Sequence, residues 1–374
     1  MSLRLHFFPG LCLLILGLAL QIPVFQCLLE RSPRRRLIWT AAAASTALLL
    51  SGYFLEFQRV LRHFSVRWWT WLECASLVET ICLIALVLAL PLWRRSTQFD
   101  PGRRKLLQSA GIALSLAPVA AASVGMVRRN RFRLSEVQVA IPNLPKDLDG
   151  LRIAQITDIH LSPFLSEREL AIAIDMANEA RANLALVTGD LITRVGDPLD
   201  ACLRQLARLR ADSGILGCLG NHEIYTGTQN YVTEQGRRIG IEFLRRQARQ
   251  LRFGNATINF AGVDYQRMHK PYLIGTERFI VPGALNVMLS HNPDVFPVAA
   301  AQGYQLTVAG HTHGGQVRLP FVPPVWAPSR YGARFAYGHI VESGRHMIVS
   351  GGLGCSKVPL RLGVPPEIVR VTLG

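Results

Sequence analysis
The chain has 374 residues, 41 Lys+Arg against 25 Asp+Glu, and a formal net charge of +16 at pH 7. An apolar fraction of 49% with only 18% charged residues excludes wholesale disorder. The length allows two or three domains at about 150 residues each, and the seven cysteines, with no close pairs, exclude a disulfide framework or a zinc ribbon.

The basic excess is unevenly placed. Residues 1–133 hold 17 Lys+Arg and 5 Asp+Glu, a net of +12, whereas residues 134–374 hold 24 and 20, a net of +4. A uniformly basic chain would point to nucleic acid. This partition does not, and no nucleic-acid partner is expected.

Taken in chain order, four apolar runs come first, at residues 7–29, 37–55, 74–93 and 106–127. Each is close to the length that crosses a hydrocarbon core of ~30 Å at ~1.5 Å per residue. None alternates polar and apolar faces as a surface helix would. They predict a membrane region over residues 1–130 with about four transmembrane helices. Glu79 lies inside the third run. No second ionisable group in the spans completes a relay with it, so it is expected to face a neighbouring span or lie shallow. Trp68, Trp69, Trp71 and Trp93 bracket that run as an aromatic belt.

Orientation follows from the short connections. Arg31, Arg34, Arg35 and Arg36 follow the first run, and Arg94, Arg95, Arg103, Arg104 and Lys105 follow the third. Only Arg4 precedes the first, and Arg59, Arg62 and Arg67 lie between the second and third. Nine basic residues against four put the first and third connections inside, and four spans then put the remainder of the chain outside the cytoplasm. Arg128, Arg129, Arg131 and Arg133 pull the other way. The stretch Arg103-Arg104-Lys105-Leu106-Leu107-Gln108, followed by an apolar run ending in Ala120-Ala121-Ala122, resembles a twin-arginine export signal, although an ordinary positive cytoplasmic flank has the same composition. The expected arrangement is a multi-pass protein of the cell membrane with its second region on the extracytoplasmic, periplasmic side.

Residues 131–374 read as one α/β domain. Strands are predicted at 135–141, 151–157, 184–188 and 215–219. Helices are predicted from a capping box at Ser166 and Glu169 to about 182, then over 198–210, with a basic helical region running to about 252. From residue 256 short strands follow at 256–263, 285–290, 305–309, 316–319, 346–350 and 367–373. Strand–helix alternation followed by strand-rich sequence implies two sheets flanked by helices.

Side chains able to bind metal follow five of these strands: Asp158-Ile159-His160, Gly189-Asp190, Gly220-Asn221-His222-Glu223, Ser290-His291-Asn292 and Gly310-His311-Thr312-His313. Residues at the carboxyl ends of neighbouring strands converge on one rim of a sheet.

In this order the pattern D-x-H, G-D, G-N-H-E, H and G-H-x-H resembles the calcineurin-like metallophosphoesterase superfamily. The stretch from Gly310 through Gln316, with the tail from Gly351 to Glu367, resembles its membrane-associated bacterial branch. The resemblance covers residues from about 134 to the end. It implies a four-layer α-β-β-α sandwich and two divalent metal ions. Asp158, His160 and His313 would hold one, Asn221, His291 and His311 the other, and Asp190 would bridge them. Mixed oxygen and imidazole donors suit Mn, Fe or Zn without selecting among them. The chemistry implied is hydrolysis of a phosphate ester by a water that the two ions acidify, with His222 protonating the leaving oxygen or steadying charge on phosphorus. In the related protein phosphatases a carboxylate three positions after the bridging Asp pairs with that His. Here the position is Thr193, which leaves the partner of His222 open, with Glu223 the nearest acidic residue in sequence.

Other candidates sit outside these motifs. Asp264, Arg267 and His269 belong to a substrate-binding loop or a solvated one. Arg361 either meets a phosphate or pairs at the surface. Arg237, Arg238, Arg245, Arg246, Arg249 and Arg252 form a basic helix face that is solvated, rests on anionic lipid or gathers an anionic substrate. The expected partners are a phosphorylated small molecule or lipid and the membrane. Two other readings remain: a cytosol-facing pyrophosphatase of a nucleotide-linked lipid precursor, and a non-catalytic metal-binding scaffold or sensor.

Overall fold
The computed structural model describes residues 3–60, 69–95, 101–267, 272–318, 324, 327–356 and 358–374. Arg62, Arg67, Trp68 and His269, singled out in the sequence, lie outside the described residues. The chain divides into two units, Met1–Val124 and Gly125–Gly374.

The first unit contains α1 (Leu3–Arg31), α2 (Arg35–Val60), α3 (Trp69–Arg95) and most of α4 (Pro101–Arg128). Among the described residues three helices are long and apolar enough to cross a membrane: Leu11–Arg31, Trp71–Leu92 and Pro101–Arg128. The second expected span forms as helix α2, Arg35–Val60. Helices α1, α2 and α3 pack on one another. Val24, Leu49 and Leu83 make their apolar centre. Beside it the Gln21 amide donates to Ser45 Oγ (2.6 Å), Thr46 Oγ1 donates to Gln21 Oε1 (2.8 Å), and Ser45 Oγ donates to Glu79. Glu79 therefore faces a neighbouring helix.

The second unit is built on two six-stranded sheets. The first has the order β1 (Arg133–Val139), β12 (Glu367–Leu373), β2 (Arg152–Ile156), β3 (Leu184–Val187), β4 (Ile215–Gly217) and β5 (Ile241–Phe243). The second has the order β10 (Gly338–Glu342), β11 (Arg345–Val349), β9 (Leu306–Ala309), β8 (Leu285–Leu289), β7 (Ala256–Gly262) and β6 (Gln247–Phe253). Strands β2 to β5 run parallel, as do β7, β8, β9 and β11. Such strands are covered on both faces, which is why they read as continuous apolar runs.

Three apolar layers result. Ile153, Leu184, Leu186 and Leu216 of the first sheet meet Ile258, Phe260, Val287, Leu306 and Val308 of the second. On the outer face of the first sheet, Ile156 and Val187 take the buried stripes of α5 (Glu167–Glu179) and α6 (Leu199–Leu206). On the outer face of the second, Met347 and Val349 pack on Phe296 of α9 (Phe296–Gln302). This is the expected α-β-β-α sandwich. The stripe of α5 is Leu170, Ala173, Ile174 and Ala177, at helical spacing, and its start is the expected capping box: Ser166 Oγ accepts from Glu169 N, and Glu169 Oε2 accepts from Ser166 N at 2.8 Å. Each fully buried Leu, Ile, Val or Phe in these layers contributes about 1.5–3 kcal/mol.

Two expectations fail. No strand forms over 316–318, where Val317 makes only an isolated bridge to Leu362, and residue 319 lies outside the described residues. The basic stretch to residue 252 is not one helix. After α7 (Asn221–Thr226), α8 (Gln229–Arg238) ends, and the chain turns into β5 and β6. Arg249 and Arg252 thus lie on edge strand β6, and Arg245 pairs with Asp264 at 2.8 Å. A charged edge strand is a poor template for further strand pairing.

Candidate metal centre
Every residue singled out at a strand end lies on one rim, where β2, β3, β4, β8 and β9 finish. Beneath it the buried Gln155 of β2 ties the two sheets together, donating to Thr188 Oγ1 (2.9 Å) and to Ala309 O (2.8 Å). The turns beyond the strands are tight. Asp158, His160, Asp190, His311 and His313 all have positive φ, between 46° and 72°. These side chains are therefore held on backbone that most residues with a Cβ avoid. Close approach sets the glycines too: a Cβ on Gly220 would fall 2.1 Å from Asp190 Oδ1.

Three groups have donor atoms that all lie within 4.8 Å of one another: Asp158, His160 and His313; His160, Asp190 and His222; and Asp190, His291 and His311. Asp190 Oδ2 stands 3.5 Å from His160 Nε2 and 3.0 Å from His291 Nε2, so it serves the first group and the third. Asn221, at the start of α7, is buried, and its Oδ1 has no hydrogen-bond partner. Asp158, His160, Asp190, His291, His311 and His313 are brought together, and Asn221 follows Gly220 in the adjoining turn.

The donors face one another in a way that hydrogen bonds do not satisfy. His291 Nδ1 lies 2.7 Å from the Thr188 carbonyl and donates to it, which turns Nε2 toward the Asp190 carboxylate, 3.0 Å from Oδ2. His160 Nε2 and His313 Nε2 meet at 3.1 Å, and Asp158 Oδ1 lies 3.3 Å from His313 Nε2. Lone pairs crowded at 3.0–3.9 Å around common points suit a cation, since bonds of about 2.1 Å place neighbouring ligand atoms roughly 3 Å apart. The buried orphan atoms and the mixed oxygen and imidazole donors fit divalent metal.

Electrostatics tell the same story. Burial raises the Asp158 carboxyl to about 6. Burial lowers His160 and His313 well below the ordinary range and takes His311 to about 3. His291 goes the other way: burial disfavours its charge, but Asp190 and Asp158 overcome this and push it up to about 10. Asp190 is held well below the carboxylate range by His291 and His222, against the upward pull of burial. The chain by itself resolves the crowding with a proton on His291.

His222 lies beside the cluster. Its Nδ1 sits 2.5 Å from the Thr193 carbonyl, its Nε2 3.9 Å from Asp190 Oδ2, and its ring packs edge-on to His160. The orienting partner left open by the sequence is thus the main chain of Thr193, while Thr193 Oγ1 meets His160 Nδ1 at 3.1 Å. Glu223 does something else. Its carboxylate accepts from the backbone N–H of Gly220, Asp190 and Leu191 at 2.7–2.9 Å, fixing the turns that carry Asp190 and Asn221.

Two tyrosines were not picked out in the sequence. Tyr265 places its ring 5.3 Å from His311 and its hydroxyl 3.4 Å from His311 Nε2, and burial drives its phenol pKa up. Tyr225, exposed, meets His222 edge to face with ring centroids 5.7 Å apart. The signal for Tyr265 was available: it follows β7 as the other site residues follow their strands. Asp264 is engaged by Arg245, and Arg267 is exposed. Arg361 neither meets solvent nor forms a surface pair. It is 2% exposed and bonded to backbone carbonyls.

Known proteins carry the same elements. The family model described as calcineurin-like phosphoesterase matches residues 151–315. The uncharacterized metallophosphoesterase YkuE of Bacillus subtilis is 30% identical over 236 residues, 62% of this chain and 81% of the relative. Phosphodiesterase YaeI of Escherichia coli is 28% identical over 227 residues, 59% and 82% of the two chains. A transmembrane protein with metallophosphoesterase domain from Danio rerio is 26% identical over 256 residues, 64% and 57%. The rim of histidines and aspartates, the two-sheet sandwich beneath it and these likenesses lead to one conclusion: the chain belongs to the calcineurin-like metallophosphoesterase family and is a metal-dependent phosphoesterase.

Proposed function
We propose that the protein is a membrane-anchored, two-metal hydrolase of phosphodiester bonds, with residues 1–130 as its membrane region and residues 131–374 as its catalytic domain. The observation that carries this reading is the two donor clusters with Asp190 between them, 3.5 Å from His160 Nε2 and 3.0 Å from His291 Nε2, and with His291 Nε2 and Asn221 Oδ1 buried without hydrogen-bond partners. Asp158, His160 and His313 would hold one divalent ion, Asn221, His291 and His311 would hold the other, and Asp190 would serve both. Bound Mn, Fe or Zn supplies Lewis acidity, neutralising phosphoryl oxygens and acidifying water.

The remaining steps belong to the chain. Thr193 accepts the Nδ1 proton of His222 and so aims Nε2 toward the space before Asp190. A proton taken up on Nε2 is placed for delivery to the leaving oxygen. Glu223 locks the two turns, so the donors hold their positions as charge builds on phosphorus. Support for a diester comes from the likeness to phosphodiesterase YaeI. Membrane anchoring is supported by the three apolar helices, a lipid-linked phosphate by that anchoring, and the periplasmic side by the arginine distribution read over four spans with α2 as the second.

Hydrolysis of an aryl phosphodiester with added Mn²⁺ tests the reading. Wild type is expected to turn over and Asp190→Asn and His222→Ala to fail. Full activity in both variants would overturn the mechanism, and an inactive wild type would favour a scaffold. A reporter active only in the cytoplasm, fused after Gly374, is expected to stay silent. A strong signal would favour the cytosol-facing pyrophosphatase.

A further inference from the structure
Arg361 is the largest fully buried side chain of the second unit, and among the described residues no carboxylate pairs with it. A buried guanidinium without a counter-charge is costly unless its donors are all occupied. Here they are spent on one loop. Nε donates to Gly354 O at 3.1 Å, Nη2 donates to Gly351 O at 2.8 Å and to Gly354 O, and Nη1 reaches Val364 O at 3.5 Å. The other side of the loop is gripped by an acid, Glu367 Oε1 accepting from Gly351 N at 3.0 Å.

This loop lies flat on the backbone that carries the first ligands. Leu353 N donates to Thr157 O (3.1 Å) and Gly354 N to Asp158 O (2.7 Å). The fit leaves no room for a side chain: a Cβ on Gly354 would stand 2.1 Å from Ile159 O and 2.8 Å from His160 Cβ. The guanidinium also walls the His313 ring, 3.4 Å from Nδ1. Asp158, His160 and His313 are thus all backed by Arg361 or by the loop it holds. The other donors are not held by this loop: His291 is backed by the Thr188 carbonyl and Asn221 by the turn that Glu223 fixes, while the His311 backbone N–H donates to the Asp158 carboxylate at 3.0–3.1 Å.

We infer that Arg361 is a positioning residue for one half of the centre: it sets the geometry of the ion position formed by Asp158, His160 and His313 and leaves the Asn221, His291 and His311 position unaffected. The inference rests on the two-ion reading. Its effect falls in the range of outer-shell partners of metal ligands, about 10–100-fold in affinity. Gln316 assists, holding the chain next to Arg361 by donating to Val358 O (2.6 Å) and Leu360 O (3.0 Å).

The test is Mn²⁺ titration of the chelator-stripped full chain in detergent, with bound metal per chain counted by mass spectrometry. Wild type is expected to take up two ions. Arg361→Gln is expected to weaken one of them by about 10–100-fold and leave the other at wild-type affinity, with Arg361→Lys between. Combined with His313→Ala, Arg361→Gln should cost no further ion; combined with Asn221→Ala, it should cost both. Gln316→Ala, which keeps the guanidinium, should weaken the same ion by less. Two ions at wild-type affinity in Arg361→Gln, equal weakening of both, or an unchanged titration in Gln316→Ala would overturn the inference. A wild type that binds only one ion would instead overturn the two-ion reading, and that result is visible before any variant is made.

Discussion

Both units of the chain bury polar side chains, and they settle them differently. In the first unit Gln21, Ser45, Thr46 and Glu79 exchange hydrogen bonds across α1, α2 and α3, hydroxyls and an amide serving as both donors and acceptors. In the second, four histidines and two aspartates on the rim turn acceptors toward one another. The first cluster joins hydroxyl, amide and carboxylate donor to acceptor and leaves one atom, Glu79 Oε2, without a partner, whereas the second gathers several acceptors around common points and is complete only with added positive charge. Burial of polar groups alone therefore does not mark a reactive site. Their mutual pairing does.

The contrast is sharpened or broken by measurement. The largest effect is expected for Asp190→Asn, which removes charge from the point shared by both clusters. Turnover of an aryl phosphodiester should fall by more than about 10⁴-fold, beyond what a single acid–base group supplies. His222→Ala should cost about 10²–10⁴-fold while the bound metal per chain stays at the wild-type value; loss of metal would make His222 a ligand instead.

A third effect is a pH profile of stability. His291 is raised from 6.5 to about 10, so its stabilisation in the stripped protein is fully present below about 6.5 and is lost as pH rises through about 10. The melting temperature of stripped protein should fall across that window, and added Mn²⁺ should abolish the fall. A flat profile in the stripped protein would mean that no proton bridges the carboxylates. The smallest effect is expected for Glu79→Gln: thermal stability drops by about 0.6 kcal/mol, the mean for a hydrogen bond between membrane helices, and hydrolysis is unchanged. A loss of hydrolysis would erase the distinction between the two clusters.

How much of this could be read in advance follows from what carries each feature. The strand-end motifs were legible because the metal chemistry demands particular side chains and parallel strands bring their ends together. Asp158 through His313 needed only local spacing and order. Arg361 was not legible, because its role depends on backbone carbonyls of Gly351 and Gly354 that no side-chain pattern announces. The partner of His222 was hidden for the same reason: the Thr193 carbonyl has no signature in the sequence. The basic stretch misled because arginine suits a helix face and an exposed edge strand equally. The alternation in Gln247–Phe253 belongs to β6, which lies beside β7 in the second sheet.

The left-handed residues of the rim have a further consequence. Asp158, His160, Asp190, His311 and His313 occupy backbone that costs about 1–2 kcal/mol for each residue with a Cβ. Glycine would relieve that cost at every one of these positions, and asparagine would relieve part of it. The chain keeps the costly residues, so at these five positions backbone ease is given up for a side chain on the rim. A screen for thermotolerant variants would be drawn to these five positions and would return proteins that melt later and hydrolyse nothing. Selection for the reaction has to be applied at the same time, or the screen will improve this fold by dismantling its purpose.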